Sequence, residues 1–254
     1  MSRLKIGVRL ESLGLPLRQG LAAAARLGVP GVRVDAVGDL SPNRLSETGR
    51  REFRHLLRSH NLELVAVGCP LRRGLDAVED QQPRIEHVRR VMTLSYDLGP
   101  RVTIVEAGAV PGEGEGEEAR GRLLTESLTA LAAHGDRIGA ILALETGLES
   151  GEALNAYLAR FDSGSLGANL DPANLLTHGF DVYESARALD RRIVRVTARD
   201  ARLVGASRTA QEVPLGHGDV EWMQFLGVLE EVEYRGWMTV VREADVAFLR
   251  RLIG

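Results

Sequence analysis

The stretch IGAILALETGLESG, residues 138–151, indicates most clearly how this chain folds. Its aliphatic run from Ile141 to Leu144 predicts a buried strand. That strand ends abruptly in Glu145. A carboxylate at this point needs a partner or contact with water, because an unpaired charge inside a core is costly. If other strands end in the same way, their carboxylates meet on one face of the fold.

Eight strand-like runs recur along the 254 residues, at 4–10, 31–36, 62–68, 101–107, 140–145, 165–171, 193–198 and 237–242. Helical patterns follow them at 15–28, 47–60, 82–99, 117–135, 150–161, 181–190, 219–236 and 244–254. This alternation implies a parallel sheet with crossover connections, and eight such units close into a barrel. We therefore expect one α/β domain, a single (β/α)8 TIM barrel over residues 1–254. An open doubly wound sheet is the alternative, but the first turn, RLESLGLP, lacks the Gly-rich loop of dinucleotide-binding sheets.

The composition of the chain limits which kinds of partner and which cellular compartment are expected. No run of about 18 apolar residues occurs, so no membrane partner is expected. A net charge of −3 provides no attraction to nucleic acid. Cys69 is the only cysteine, which excludes an internal disulfide, and the chain start has no long apolar stretch typical of a signal peptide. These features favour a cytoplasmic protein. The acidic segment PGEGEGEE, 111–118, is predicted to be a solvated loop rather than a lid.

The carboxyl ends of barrel strands form the active site in proteins of this architecture. Most of the eight predicted strands end within a few residues of a carboxylate. In a structural role, such carboxylates cap helices or pair with arginines. The polar residues expected at this end are Arg9, Glu11, Asp35, Cys69, Glu106, Glu145, Asp171, Thr197, Arg199, Asp200, Arg242 and Glu243. Two of the six histidines, His178 and His217, fall in loops that leave strands.

The strongest local signal is LGANLDPANLL, residues 166–176. Pro172 stops the strand after Asp171, and Asn174 follows three residues on. Carboxylate and amide oxygens at this spacing suit Mg²⁺ or Mn²⁺. Glu145 on the preceding strand lies roughly 5 Å away at the backbone. Two carboxylates this close raise each other's pKa, so the pair needs a metal, a nearby arginine or a retained proton.

Five motifs occur in one order along the chain: LALETG, LGANLDPANLL, RVTARDA, EVPLGHGDVEW and YRGWMTVVRE. Together they resemble the xylose isomerase-like TIM-barrel superfamily, the sugar phosphate isomerase/epimerase group, which is related to family-2 apurinic endonucleases. The resemblance covers most of the chain. It implies a divalent metal held by Glu, Asp, His and Glu at the ends of strands five to eight. Glu145 and Asp171 match the first two ligands, whereas Thr197 and Val241 stand where the His and the second Glu belong.

The resemblance implies an isomerase or epimerase that moves a proton between adjacent carbons of a small sugar or polyol. Its metal site is degenerate, so Mn²⁺ or Mg²⁺ is bound weakly, in a displaced position, or not at all. Glu243 lies two residues past Val241 and so on the same side of an extended strand, where it could replace the missing glutamate. The expected roles are catalysis by Glu145 and Glu243, metal binding by Glu145 and Asp171, and substrate binding by Arg9, Asn174, Arg199, His217 and Arg242.

Two other functions remain open at this stage. A metal-free, catalytically lapsed barrel that binds a small carbohydrate or other ligand is favoured by the losses at Thr197 and Val241. A nuclease for damaged DNA is disfavoured, because that chemistry needs several metals and a basic surface. The expected partner is therefore a small sugar-like molecule, and a homodimer remains open.

Overall fold

The barrel strands lie within two residues of their predicted positions in the computed structural model, which describes residues 4–112, 116–205 and 209–254. They are β1 (Lys5–Arg9), β2 (Gly31–Asp35), β3 (Glu63–Gly68), β4 (Val102–Val105), β5 (Ile141–Glu145), β6 (Leu166–Leu170), β7 (Ile193–Ala198) and, after a hairpin β8 (Asp200–Val204) and β9 (Thr209–Val213), β10 (Trp237–Val240). The barrel closes in the order β1-β10-β7-β6-β5-β4-β3-β2, and its pairs are parallel. The predicted (β/α)8 barrel is therefore confirmed.

Helices surround the barrel and shield the outer faces of its strands. They are α1 (Leu17–Arg26), α2 (Glu47–Ser59), α3 (Gln81–Leu98), α4 (Glu117–Ile138), α5 (Gly151–Leu158), α6 (Pro172–Thr177), α7 (Val182–Leu189), α8 (Trp222–Glu231) and α9 (Glu243–Ile253). Short 3-10 helices cover Leu10–Leu13, Gly38–Leu40 and Asp190–Arg192. An aliphatic core between strands and helices holds the two layers together.

Two elements were not predicted from the hydrophobic pattern. Helix α6 begins at Pro172, which suits the first helical position because its missing N–H has no partner there anyway. Strands β8 and β9 form an antiparallel hairpin, paired from Asp200–Val213 to Val204–Thr209. The sequence of β9, TAQEV, is short and largely exposed, so no clear apolar alternation marks it. This hairpin follows β7 and rises beside the carboxyl end of the barrel.

Two β-bulges shape the barrel interior. The register between β2 and β3 shifts at Arg33 and skips Val65, and the register between β6 and β7 shifts at Asn169 and skips Val194. The guanidinium of Arg195 donates to the carbonyl oxygens of both skipped residues, to Val65 at 2.8 Å and to Val194 at 2.6 Å. Bulges redirect side chains near active sites. Both shifts here fall directly before a polar side chain that faces the strand-end cavity or its floor.

The opposite end of the barrel is filled by apolar side chains. Gly31 is required there, because a Cβ at this position would lie 2.4 Å from the ring of Trp237. Lys5, the single lysine, lies over the same ring at 5.1 Å. Within the described residues, no helix is long and apolar enough to cross a membrane. The predicted loop at 111–118 falls partly on residues 113–115, which lie outside the described residues.

Candidate active site

The carboxyl ends of the strands enclose a small cavity of about 90 Å³. This space holds several water molecules or one small substituent, since a water needs about 10–15 Å³ of such volume. A depression of about 730 Å³ lies on the outer surface beside α4, but no strand-end residue lines it. The charged residues that line the small cavity are Arg9, Arg33, Asp35, Glu106, Glu145 and Arg199. Because charged groups converge here, this cavity is the candidate site.

Glu145 ends β5 and reaches the cavity. Its Oε2 accepts a hydrogen bond from Asn169 Nδ2 at 2.9 Å, and the same amide donates to Thr197 Oγ1 at 2.8 Å. Burial raises the pKa of Glu145 to about 7; the charge of Arg33 opposes the rise and that of Asp171 adds to it. A carboxyl group with a pKa near neutrality can both accept and return a proton, as a general base must.

Asp171 follows β6 and is completely buried. Its Oδ1 accepts the backbone N–H of Asn174 at 2.9 Å and so caps α6. Its Oδ2 accepts a hydrogen bond from Arg199 Nη1, also at 2.9 Å. Burial raises the pKa of Asp171, and the guanidinium of Arg199 opposes that rise. Both oxygens therefore have donors within the protein, and Asp171 anchors an arginine.

Arg199 links the barrel to the β8–β9 hairpin. Its Nε and Nη2 donate to Glu212 Oε2 at 3.1 and 2.7 Å. The other oxygen of Glu212 accepts from Arg242 Nη2 at 2.9 Å. Burial lowers the pKa of Arg199, but the carboxylates of Asp171 and Glu212 raise it by more, so its net shift is upward. The hairpin thus keeps a permanent cation at the rim of the cavity.

A second ion pair lies on the β1–β2 side. Arg9 Nη2 donates to Asp35 Oδ2 at 2.5 Å, and the backbone N–H of Asp35 donates to Glu11 Oε1 at 2.7 Å. Gly68 leaves room for this carboxylate, because a Cβ there would lie 2.1 Å from Asp35 Oδ1. Burial raises the pKa of Glu11, and it raises that of the neighbouring Cys69 thiol to about 12. The Cys69 thiol, which lines the cavity, is therefore protonated and uncharged at physiological pH.

The donor set does not fit the divalent metal that the resemblance implies. Among the residues that the structure describes, no group of three or more His, Cys, Asp or Glu side chains could hold a metal ion. Thr197 Oγ1 already accepts from Asn169 and lies 3.3 Å from Arg33 Nη1, and Val241 has no donor atom. Mn²⁺ and Mg²⁺ need several oxygen ligands in near-octahedral geometry. The role of Glu145 and Asp171 as metal ligands stays a prediction; in the structure, Arg199 supplies the positive charge beside Asp171.

Three further residues with predicted roles are not among those that line the cavity. Glu243 is exposed at the first residue of α9, because β10 ends at Val240 and the chain turns before Glu243 could extend the strand. His217 is exposed in the turn between β9 and α8 and does not line the cavity. Asn174 donates its side-chain amide to the carbonyl oxygen of Thr146 at 2.6 Å, so it joins α6 to β5 instead of reaching a ligand.

The other predicted substrate-binding residues lie at or beside the cavity. Arg9 and Arg199 line it, whereas Arg242 does not and is joined to Arg199 through Glu212. Asp200, expected at this face, is fully buried and accepts the N–H groups of the turn before α8, so its role is structural. Sequence reasoning missed Arg33, Asn169 and Glu212. The first two lie within strands and not at their ends, and Glu212 lies on the hairpin that the pattern did not predict.

The fold and the site together define a class: a (β/α)8 barrel with a small polar cavity at the carboxyl ends of its strands. The model of the family described as xylose isomerase-like TIM barrel matches residues 21–247. This chain therefore belongs to the xylose isomerase-like TIM-barrel family, as the motif order predicted. A comparison with curated protein sequences found no significant match.

Solved structures share the whole fold at low sequence identity. A xylose isomerase domain protein from Planctomyces limnophilus is 24% identical, covers 98% of this chain and 96% of its own, and has a TM-score of 0.85. A D-tagatose 3-epimerase-like protein is 18% identical, with coverages of 98% and 95% and a TM-score of 0.81. A probable 3-DHS dehydratase involved in petrobactin synthesis, from Bacillus anthracis, is 17% identical, with coverages of 97% and 99% and a TM-score of 0.77. At these identities the similarity shows the fold alone.

Proposed function

We propose that this protein is an isomerase that moves a proton between adjacent carbons of a small sugar or polyol-derived carbonyl compound, with Glu145 as the base. The observation that carries the proposal is the position of Glu145: it ends a barrel strand in a cavity that also holds Arg9, Arg33 and Arg199. Its pKa of about 7 suits proton transfer at neutral pH. Family membership and the epimerase-like neighbour support this reaction class.

The chemistry follows from these groups. The carboxylate of Glu145 removes a proton from the carbon beside a carbonyl group, and the C–H electron pair forms a C=C bond while the carbonyl oxygen becomes an oxyanion. A guanidinium at the cavity stabilises that oxyanion in a site largely shielded from water. Glu145 then returns the proton to the neighbouring carbon, and the hydroxyl proton of the enediol moves to the other oxygen. Atoms and charge balance without an external reactant.

One base favours isomerisation over epimerisation. Transfer between adjacent carbons on one face needs a single group that accepts and returns the proton, whereas epimerisation needs a second acid on the opposite face. Val241 stands where the resemblance implies the second glutamate, and its side chain cannot donate a proton. Isomerisation is therefore the reaction that the described residues support best.

Proton exchange with solvent tests the proposal without knowledge of the natural substrate. D-fructose and its carboxylate counterpart 2-keto-D-gluconate are incubated with the enzyme in D₂O and followed by NMR. We expect deuterium at the carbon beside the carbonyl, and a rate reduced at least 100-fold in Glu145→Gln. Glu152→Gln, an exposed carboxylate on α5, is the matched control and should exchange at the wild-type rate. Equal exchange by wild type and Glu145→Gln would refute a role for Glu145.

A metal-free barrel that binds but does not convert a small ligand is the second candidate. The pairing of Asp171 with Arg199 favours it, because a carboxylate engaged in this way no longer serves the family's metal chemistry. In that case no substrate in the exchange experiment would gain deuterium, although ligands would still bind. Binding without exchange would therefore support this candidate over the isomerase.

A further inference from the structure

Arg33 has fewer partners than a buried arginine normally has. Its side chain is 9% exposed. It makes one hydrogen bond, from Nη1 to Thr197 Oγ1, and this bond is long at 3.3 Å. Its Nη2 lies 3.8 Å from Asp35 Oδ1, which is beyond hydrogen-bond distance, and its Nε has no partner. Most of the N–H donors of this guanidinium are therefore unpaired among the described residues.

The neighbouring carboxylates each accept a hydrogen bond from another donor, although Asp35 Oδ1 has no hydrogen-bond partner and lies 3.8 Å from Arg33 Nη2. Asp35 accepts from Arg9, Asp171 from Arg199, and Glu145 from Asn169. The charge of Arg33 reaches Glu145 and lowers its pKa, but no hydrogen bond joins the two side chains. Arg33 is thus a cation of the cavity that lacks a carboxylate at hydrogen-bond distance in the described part of the chain.

An underpaired buried guanidinium is costly for the folded protein, and a ligand of opposite charge removes much of that cost. Water can satisfy the donors but cannot neutralise the charge. Arg33 lines the small cavity directly and lies on the same face of β2 as Asp35, because side chains alternate along a strand. The Arg33 side chain therefore contacts the space that a ligand would enter, although its Nε is buried without a partner.

We infer that Arg33 binds a carboxylate group of the substrate, so that the ligand is a small sugar acid or keto acid and not a neutral sugar. This inference rests on the proposed function and names its substrate class. The planar fork of a guanidinium matches a carboxylate with two parallel hydrogen bonds. One underpaired cation balances a single negative charge, whereas a phosphate brings up to about two charges and three outer oxygens. A carboxylate also fits the limited volume of about 90 Å³.

Calorimetric titration of the full chain with D-glycerate and with glycerol tests whether binding requires a carboxylate on the ligand. The two probes have the same carbon skeleton and differ in the carboxylate. We expect saturable binding of D-glycerate and none of glycerol. Arg33→Met, which keeps an unbranched side chain but removes the charge, should weaken D-glycerate binding about 10- to 100-fold. Arg33→Lys keeps the charge without the fork and should give a smaller loss.

Arg44→Met is the matched control, since the side chain of Arg44 is 71% exposed and lies away from the cavity. It should bind D-glycerate like wild type. If Arg33→Met does not fold, Arg33→Lys and the comparison of the two probes on wild type still decide the matter. Equal binding of glycerol and D-glycerate, no binding of D-glycerate, or binding that is unchanged in folded Arg33→Met or Arg33→Lys would overturn the inference. Tighter binding of inorganic phosphate than of D-glycerate would also overturn it.

Failure of the inference and failure of the proposed function give different results. D-glycerate binding needs no turnover, and Glu145→Gln should bind it as well as wild type or more tightly, because a negative charge is removed from the cavity. Binding of D-glycerate without deuterium exchange in any ketose would leave the inference intact and refute the isomerase. Exchange in D-fructose but not in 2-keto-D-gluconate would support the isomerase and overturn the carboxylate class.

Discussion

The β5–β6 side of the cavity ends in two carboxylates, Glu145 and Asp171, whereas the β7–β10 side ends in two arginines, Arg199 and Arg242, that share Glu212. The first side keeps what the family resemblance implies, and the second side departs from it. The difference indicates that the chain supplies its own cation: a guanidinium held by two carboxylates lies beside Asp171. A fixed guanidinium can stabilise an oxyanion, but it cannot change its ligands as a metal does.

The two carboxylates also differ from each other. Asp171 is fully buried and accepts hydrogen bonds through both oxygens. Glu145 accepts a hydrogen bond through one oxygen only and contacts the cavity. Asp171 is therefore expected to act mainly on stability, and Glu145 mainly on proton transfer.

The largest effect on stability is expected for Asp171→Ala. It removes a helix cap and one carboxylate partner of Arg199, so the free energy of unfolding should fall by about 3 kcal/mol in urea denaturation followed by circular dichroism. Asp181→Ala is the matched control, because Asp181 caps α7 at an exposed position. That variant should lose only about 1 kcal/mol. Equal losses would mean that the ion pair with Arg199 contributes nothing.

Glu145→Gln should change the pH dependence of stability. The pKa of Glu145 is raised from an ordinary value of 4.5 to about 7, so the folded protein holds a proton that the unfolded chain releases between these values. Ionisation of Glu145 therefore lowers stability as pH rises through this window. The variant should match wild type near pH 4 and exceed it near pH 8 by on the order of 3 kcal/mol. Parallel stability curves would show that the pKa is not raised.

The hairpin side is tested by Glu212→Gln. This change removes the negative charge that holds Arg199 and Arg242, so deuterium exchange should slow about 3- to 10-fold, while stability changes by less than about 1 kcal/mol because the pairs are partly exposed. Glu243→Gln is the paired variant, since the structure places Glu243 on the exposed start of α9. It should have no effect on exchange. Slower exchange in Glu243→Gln than in Glu212→Gln would favour the role predicted from sequence.

The smallest effect is expected for added metal. Calorimetry of chelator-treated protein with Mn²⁺ should show no saturable binding at micromolar affinity, because Asp171 is engaged and Thr197 and Val241 cannot replace the missing ligands. A specific ligand at 100 times its Kd would stabilise the fold by about 2.7 kcal/mol, which gives a second readout by thermal unfolding. Saturable binding that is lost in Glu145→Ala would show that a metal displaces Arg199.

The barrel could be predicted from sequence because its signal is repeated. Each strand is a short aliphatic run, and in each helix the apolar residues recur at helical spacing. Eight alternations of strand and helix permit few other folds. The family could be recognised for the same reason, since several motifs keep their order. The hairpin β8–β9 could not be predicted, because one short polar strand pair carries no repeated pattern. Because the hairpin was not predicted, Glu212 was not identified as a residue of the site.

Most of the polar residues of the candidate site could be predicted in the same way. Glu145, Asp171, Arg9 and Arg199 were identified because they follow strand ends, and the rule for barrels places strand ends together. Arg33 was not identified, because it lies in mid-strand and the rule for barrels selects only residues at strand ends. Glu243 was predicted on the assumption that the last strand continues, whereas β10 ends before that residue and Glu243 begins α9.

The sequence by itself determined the eight barrel strands, the helices that alternate with them, the closed barrel and the face on which its carboxylates meet, because these depend on hydrophobic periodicity and chain direction. Only the tertiary structure decided which charges pair. Asp171 pairs with an arginine 28 residues away, and that arginine pairs with a carboxylate on an inserted hairpin. Pairing depends on distances of a few ångströms between side chains from separate elements, and spacing along one chain does not contain those distances.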